Sequence, residues 1–216
     1  MSVVLELKNI EKRFGEVVAL EGINLVVNKG EWTSIMGPSG SGKTTLLNIL
    51  SLMDTPTRGE YHLGGEDASA LDEAKQLLIR REKIGLIFQQ FHLIPYLSAL
   101  ENVMIAQYYH SSVDEEDAKE ALHKVGLTHR LTHRPSELSG GEQQRLCIAR
   151  SLINNPDILL ADEPTGNLDE QNEKVILDLF CRLREEGKTI ILITHNPDLG
   201  RYGDKVVRLR HGRMEA

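Results

Sequence analysis

Eight consecutive residues carry the strongest chemical signal in the chain. Gly37-Pro38-Ser39-Gly40-Ser41-Gly42-Lys43-Thr44 fits G-x-x-x-x-G-K-[ST] at every fixed position. Glycines at 37, 40 and 42 allow consecutive backbone N–H groups to turn toward one point, an anion nest at the start of a helix. Phosphate oxygens belong in such a nest. Lys43 is expected to reach the β- and γ-phosphates of a nucleotide, and the Thr44 hydroxyl to take one site of an octahedral Mg²⁺. Further on, the apolar run Ile158-Leu159-Leu160-Ala161 delivers two adjacent carboxylates, Asp162 and Glu163. Asp162 is suited to hold the Mg²⁺ through its water shell, and Glu163 to polarise a water that attacks the γ-phosphate in line.

Those groups need a scaffold, and the pattern around them supplies one. Val3 to Trp32 alternates apolar and polar residues in short runs broken by Gly15, Gly22 and Gly30, which predicts a β-rich opening with tight turns. Trp32 to Met36 is then a strand that feeds the glycine loop, and Thr45 to Met53 the helix that leaves it. Strands are predicted at Lys83–Phe88, Ile158–Ala161 and Thr189–Thr194, with a helix over Glu170–Glu186. Strands separated by helices imply a parallel α/β sheet. From Phe91 to Asn155 the character turns helical, with Ala118, Leu122 and Val125 on one face of a segment from Asp114 to Val125. Ser112 and Glu115 are expected to form its capping box.

The chain has 216 residues, enough for one domain with a small insert. Its formal charge is −7, which argues against a protein built to coat nucleic acid. The longest stretch without a formal charge, Ile84 to Leu100, contains Gln89, Gln90, His92 and Pro95, so no membrane span is expected. The N-terminal sequence lacks a basic leader and a small-residue cleavage site, which predicts a chain that stays in the cytoplasm. Two cysteines 34 residues apart predict packed thiols rather than a disulfide. His129 and His133 have metal-pair spacing without a third ligand, and no zinc site is expected. Asn28-Lys29-Gly30-Glu31 resembles a guanine-binding N-K-x-D but ends in Glu, and is read as a hairpin turn.

Leu138-Ser139-Gly140-Gly141-Glu142-Gln143-Gln144-Arg145 places paired glycines at the opening of another helix, a second anion-binding start. One chain has no second phosphate to offer it. Two chains facing head to tail could each lay this turn on the ATP held by the other.

In this order of motifs the sequence resembles the ATP-binding cassette (ABC) ATPases, over nearly the whole chain. The resemblance implies a P-loop NTPase (RecA-like) α/β core with an N-terminal antiparallel β region and an inserted α-helical subdomain. The core would be residues 1–90 and 156–216, and the helical signature subdomain about 91–155. By the same resemblance Phe14 matches the aromatic that stacks on adenine, a Tyr in many members. Gly37 to Thr45 form the phosphate site, and Ser139, Gly140, Gly141 and Glu142 the signature. Asp169 falls in the D-loop. Gln89 is implied as the loop glutamine that ligates Mg²⁺ and His195 as the switch histidine that donates to the γ-phosphate. Glu142 stands where Gln is commonest, and is expected to keep function through a structural role.

Met53 to Gly59, Phe88 to Pro95, Glu101 to Val103 and Leu160 to Asp169 look like the lipoprotein-release and macrolide-export subfamily. That implies ATP and Mg²⁺ as cofactors, an ATP-dependent homodimer, and a separately encoded membrane permease that holds the chain on the cytoplasmic face of the membrane. The permease contact is expected at the groove beside Gln89 to Leu97, where Phe91, Leu93, Ile94, Pro95 and Tyr96 cluster, with helical-subdomain core as the alternative. A cell-division or signalling ATPase of the same subfamily shares every motif. A soluble ribosome- or DNA-acting ABC protein is a further alternative, though such chains usually carry two cassettes.

Overall fold

In the computed structural model, residues 2–110 and 112–215 are described. The alternating N-terminal region forms two long antiparallel strands, β1 (Val3–Phe14) and β2 (Val17–Asn28), which turn inward Leu5, Leu7, Ile10, Leu20, Ile23, Leu25 and Val27. They join β4 (Arg58–Leu63) and β5 (Glu66–Asp67) in a sheet of order β2-β1-β4-β5. The turn after β2 bonds Glu31 N–H to the Asn28 carbonyl and closes with the Glu31 carboxylate on Asn28. It is a turn but not the expected hairpin, because β3 (Trp32–Met36) leaves this sheet and enters another.

That second sheet has six strands in the order β10-β9-β3-β8-β7-β6. Its members are β3, β6 (Ile84–Ile87), β7 (Ile158–Asp162), β8 (Thr189–Thr194), β9 (Lys205–Arg210) and β10 (Arg213–Glu215). All neighbours run parallel except β10 against β9. Parallel strands are covered on both faces, which is why β7 and β8 are continuously apolar. Their alternating residues divide between two cores. Ile158, Leu160, Ile191 and Ile193 face the antiparallel sheet and helix α1 (Lys43–Leu50). Leu159, Ala161, Ile190 and Leu192 face α6 (Glu170–Glu185) and the helices between β6 and β7.

Helix α1 is shorter than its apolar run because the chain turns at Leu52, a non-glycine residue at φ 57, and Asn48 accepts hydrogen bonds from Met53 and Asp54 N–H. Helix α2 (Glu73–Lys83) has one buried residue, Ile79, and so no apolar stripe that would mark it in the sequence. Between β6 and β7 lie α3 (Ala99–Tyr108), α4 (Glu115–Lys124) and α5 (Gly140–Leu152), with single 3₁₀ turns at Thr128–Arg130 and Pro135–Glu137. The α4 cap is Asp114, whose carboxylate accepts from Glu116 and Asp117 N–H, and not the expected Ser112 with Glu115. An acid at this position has both the acceptor and the charge that the helix dipole favours. The short helix α7 (Pro197–Gly200) follows β8. No helix among the described residues is long and apolar enough to cross a membrane.

Buried Trp32 and Phe180, with ring centroids 6.0 Å apart, join β3 to α6 on the helical side. Phe180→Ala should lower the unfolding free energy by about 3–5 kcal/mol, as cavities of that size do. Trp32 is the sole tryptophan, so its fluorescence in a urea titration reads the change directly.

Candidate functional site

The parallel strands end at one edge, where ligands of open α/β sheets bind. The loop from β3 to α1 lies there, with Gly42 at φ 105 as the α1 N-cap and no side chain capping the helix, so its first N–H groups face outward. A Cβ at Gly42 would stand 2.8 Å from the Ala19 carbonyl, so only glycine fits. The Lys43 ammonium donates to the Gly37 and Pro38 carbonyls at 2.7 and 3.0 Å, while Gly212 N–H donates to Ser41 O at 2.9 Å. The Gly37, Pro38 and Ser41 carbonyls are therefore tied back; the Ser41 N–H turns inward to Pro38 O at 3.2 Å, and the neighbouring amides at the start of α1 are left for an anion. Ser41 is buried and its hydroxyl has no partner.

Two clefts flank this loop. The larger, about 890 Å³, collects Gly37, Pro38, Ser39, Lys43, Thr44, Gln89, Asp162, Glu163 and His195 from four separate stretches of sequence. The smaller, about 540 Å³, is bounded by Ser39, Gly40, Gly42, Lys43, Thr44 and Thr45 together with Val17 of β2 and His211 of the β9–β10 hairpin. Phe14 lies beside the smaller cleft rather than in its wall, paired across the hairpin with Val17. It is 53% exposed.

Burial and the adjoining Glu163 carboxylate push the Asp162 carboxyl above its usual range, against the pull of Lys43. Two neighbouring acids beside a phosphate nest, with the Thr44 hydroxyl and Gln89 amide on the same cleft, fit a hard divalent cation with oxygen ligands. Glu163 has a left-handed backbone, φ 46, which costs about 1–3 kcal/mol in a non-glycine residue. It is held there by a bond from its N–H to Ile193 O and by two side-chain contacts, from Thr194 Oγ1 at 3.2 Å and with His195 Nδ1 at 2.7 Å. An ionised carboxylate only accepts, so His195 donates from Nδ1. To donate to a phosphate as well, the ring must carry its second proton. Gln89 is joined to the D-loop: Asn167 donates to its carbonyl at 3.1 Å, and its amide reaches Asn167 Oδ1 at 3.5 Å.

The remaining predicted residues lie apart. Ser139, Gly140, Gly141 and Glu142 open α5 and line neither cleft. Asp169 caps α6, accepting from Asn172 N–H at 2.8 Å. A Cβ at Gly141 would fall 1.9 Å from Asn172 Oδ1, so a larger residue there would push the Asn172 side chain off Asp169. Glu142 is nearly buried and closes a capping box with Ser139, and its other oxygen takes the Arg130 Nε–H at 2.8 Å. Burial alone would raise its pKa; the Ser139 N–H, the Arg130 guanidinium and the Ser139 hydroxyl together hold it at about 2. The two histidines have separate neighbours, His133 at 3.1 Å from Arg130 and His129 at 3.8 Å from Glu142. Sequence reasoning missed Arg130, Asn172, Thr194 and the β9–β10 hairpin, all of which arrive by long-range contacts without a local motif.

Fold and site define a P-loop nucleoside triphosphatase. The family model for the ABC transporter matches residues 20–166. An uncharacterized ABC transporter ATP-binding protein of Methanocaldococcus jannaschii is 47% identical over 98% of this chain and 97% of its own. A macrolide export ATP-binding/permease protein of Bdellovibrio bacteriovorus is 44% identical over 99% of this chain, which spans 34% of that protein's length. A solved dimeric ATP-binding cassette in a post-hydrolysis state bound to ADP and Pi matches with a TM-score of 0.89 and 42% identity, covering 98% of this chain and 97% of that one. The chain belongs to the ABC transporter family as its ATP-binding cassette, an ATPase that uses ATP with Mg²⁺.

Because the Glu142 carboxyl is held low, it contributes stability that is present above the ordinary carboxylate range and lost as pH falls toward about 2. Glu142→Gln should therefore cost about 2 kcal/mol at pH 7. The gap in Tm between variant and wild type should close in scans taken at progressively lower pH.

Proposed function

We propose that two copies of this chain close head to tail on two Mg·ATP and that closure and reopening drive a separately encoded membrane permease. The observation that carries this reading is the position of the Ser139–Glu142 turn. It is a glycine-paired helix start in which Ser139 caps the Glu142 N–H and not the amides of Gly140 and Gly141, yet it lies away from both clefts of its own chain. A second copy can bring it to a phosphate. The dimeric neighbour and the macrolide export relative, whose printed name joins ATP-binding to permease, support the same assembly.

Within each site the amides of Gly40 to Thr44 and the Lys43 ammonium would receive the phosphates, and Phe14 would stack on adenine. Thr44, Gln89 and Asp162 would hold Mg²⁺, which when bound neutralises charge developing on the phosphate oxygens. Glu163 would orient and deprotonate the attacking water. His195, donating from Nδ1 to Glu163, would present Nε2 toward the γ-phosphate. Asp169 sits where a partner's D-loop would cross. The Gln89–Asn167 pair would pass occupancy of the metal site into the loop Gln90 to Leu97.

In that loop Phe91, Leu93 and Ile94 are half-buried while Pro95 and Tyr96 are exposed, Tyr96 at 72%. Its outer side is free to meet a permease helix, and its inner side packs on the helical core. We assign residues 1–90 and 156–216 to a catalytic core and about 91–155 to a helical insert that transmits the motion. The assembly would sit on the cytoplasmic face of the membrane. Cargo and direction would be set by the permease.

The test uses tagged Glu163→Gln. It should bind ATP, lose turnover at least about 100-fold, and elute as a dimer only with ATP. Wild-type turnover would remove Glu163 from the role of base. With ATP it should also draw an integral membrane protein from solubilised native membranes, identified by mass spectrometry. Recovery of ribosomes or soluble factors alone would overturn the transport reading.

A further inference from the structure

The ring of Phe14 is exposed at the end of a strand, a position where an unsupported phenylalanine samples several rotamers. Beside it lies a buried cation. Lys12 is only 9% exposed, and its ammonium donates to Asp54 Oδ1 at 2.5 Å and to Thr55 O at 2.8 Å. The same nitrogen stands 5.0 Å from the centroid of the Phe14 ring. Among the described residues no other aromatic ring packs on Phe14. Asp54 and Thr55 follow α1, the helix whose opposite end is the phosphate loop. One ammonium group thus links the aromatic platform to the element that holds the phosphates.

We propose that Lys12 is a positioning residue for the nucleotide base: its ammonium occupies one side of the Phe14 ring, fixes the ring, and leaves the other side to stack on adenine. The inference rests on the reading of Phe14 as the base platform. Phenylalanine has no hydroxyl by which its ring could be anchored, so orientation has to come from a contact with the π system. A cation near the ring supplies it through the quadrupole, and draws electron density away from the opposite face, which favours an electron-rich purine there. Burying a lysine is unfavourable unless it is paired. The Asp54 carboxylate and Thr55 carbonyl provide the pairing, and the ring receives the remaining side of the charge. Val17, the cross-strand partner of Phe14, lines the 540 Å³ cleft with Thr44 and Thr45, so the platform residue adjoins the cleft that borders the phosphate loop.

A structural lysine and a base-positioning lysine differ in one measurable respect, dependence on the base. Binding of ATP and of inorganic tripolyphosphate, each with Mg²⁺, is measured by calorimetry for wild type, Lys12→Met, Lys12→Arg and Phe14→Leu. Lys12→Met should weaken ATP by about threefold to tenfold and leave tripolyphosphate unchanged. Lys12→Arg should behave as wild type. In the Phe14→Leu background Lys12→Met should cause no further loss of ATP affinity. Lys12→Gln, whose amide can still bond Asp54 and Thr55, should repeat the ATP-selective loss, so the outcome does not hang on the folding of one variant. Equal loss for both probes, or none for either, overturns the role of Lys12. If Phe14→Leu binds ATP as tightly as wild type, the base-platform reading itself fails, a result distinct from a failure at Lys12 alone.

Discussion

A loop that binds phosphate must leave its amide groups unpaired in one direction while its carbonyls are satisfied in the others. Everything else at the sheet edge serves that division. Here Lys43 folds onto Gly37 and Pro38, and Gly212, from the far end of the chain, takes the carbonyl of Ser41. Gly212 O in turn accepts from Glu21 N–H, so the C-terminal hairpin bridges the phosphate loop and the antiparallel sheet. Backbone groups need partners, and this loop takes them from its own Lys43 and Pro38 and from Gly212 of the C-terminal hairpin.

The acids opposite the loop obey the complementary constraint. Asp162 and Glu163 are adjacent and partly buried, so burial and like charge act together on Asp162, and Lys43 offsets only part of it. The left-handed turn at Glu163 sends its carboxylate to Thr194 and His195 on the neighbouring strand end. Strain in the backbone is thereby exchanged for separation of the two acids: Asp162 stays at the end of β7 under the pull of Lys43, and Glu163 is held between β7 and β8. Gln89 and Asn167 close the far wall, so movement at either is felt by the other.

Much of this was legible in the sequence, for physical reasons. Trp32–Met36 and Thr189–Thr194 carry no charged residue and no Gly or Pro because parallel strands are covered on both faces, and both strands are predicted to the residue. The phosphate loop is legible from its glycine spacing, Asp162 and Glu163 from their place at the end of an apolar run, and Gln89 and His195 from the order of motifs that the family resemblance implies. Helix α2 escaped because its exposed Leu77 and Leu78 interrupt any amphipathic stripe. The α4 cap was misplaced because Ser112, Asp114 and Glu115 all offer suitable chemistry, and only the backbone decides which is used. Arg130, Asn172 and Gly212 were invisible since their partners are distant in sequence or meet them only through a turn.

Helices α3, α4 and α5 do not enclose a core of their own. Their buried residues, Val103, Leu122, Leu146 and Ile148 among them, belong to one apolar cluster with Ile87, Leu159 and Ala161 of the parallel sheet and with α6. Close-packed surfaces resist gradual sliding, because intermediate positions open voids on one side and overlap on the other. A helical segment seated in this way moves by exchanging one interlocked arrangement for another. Any displacement of these helices against the sheet would then come in steps set by the size of the side chains at the seam, a property of the packing itself.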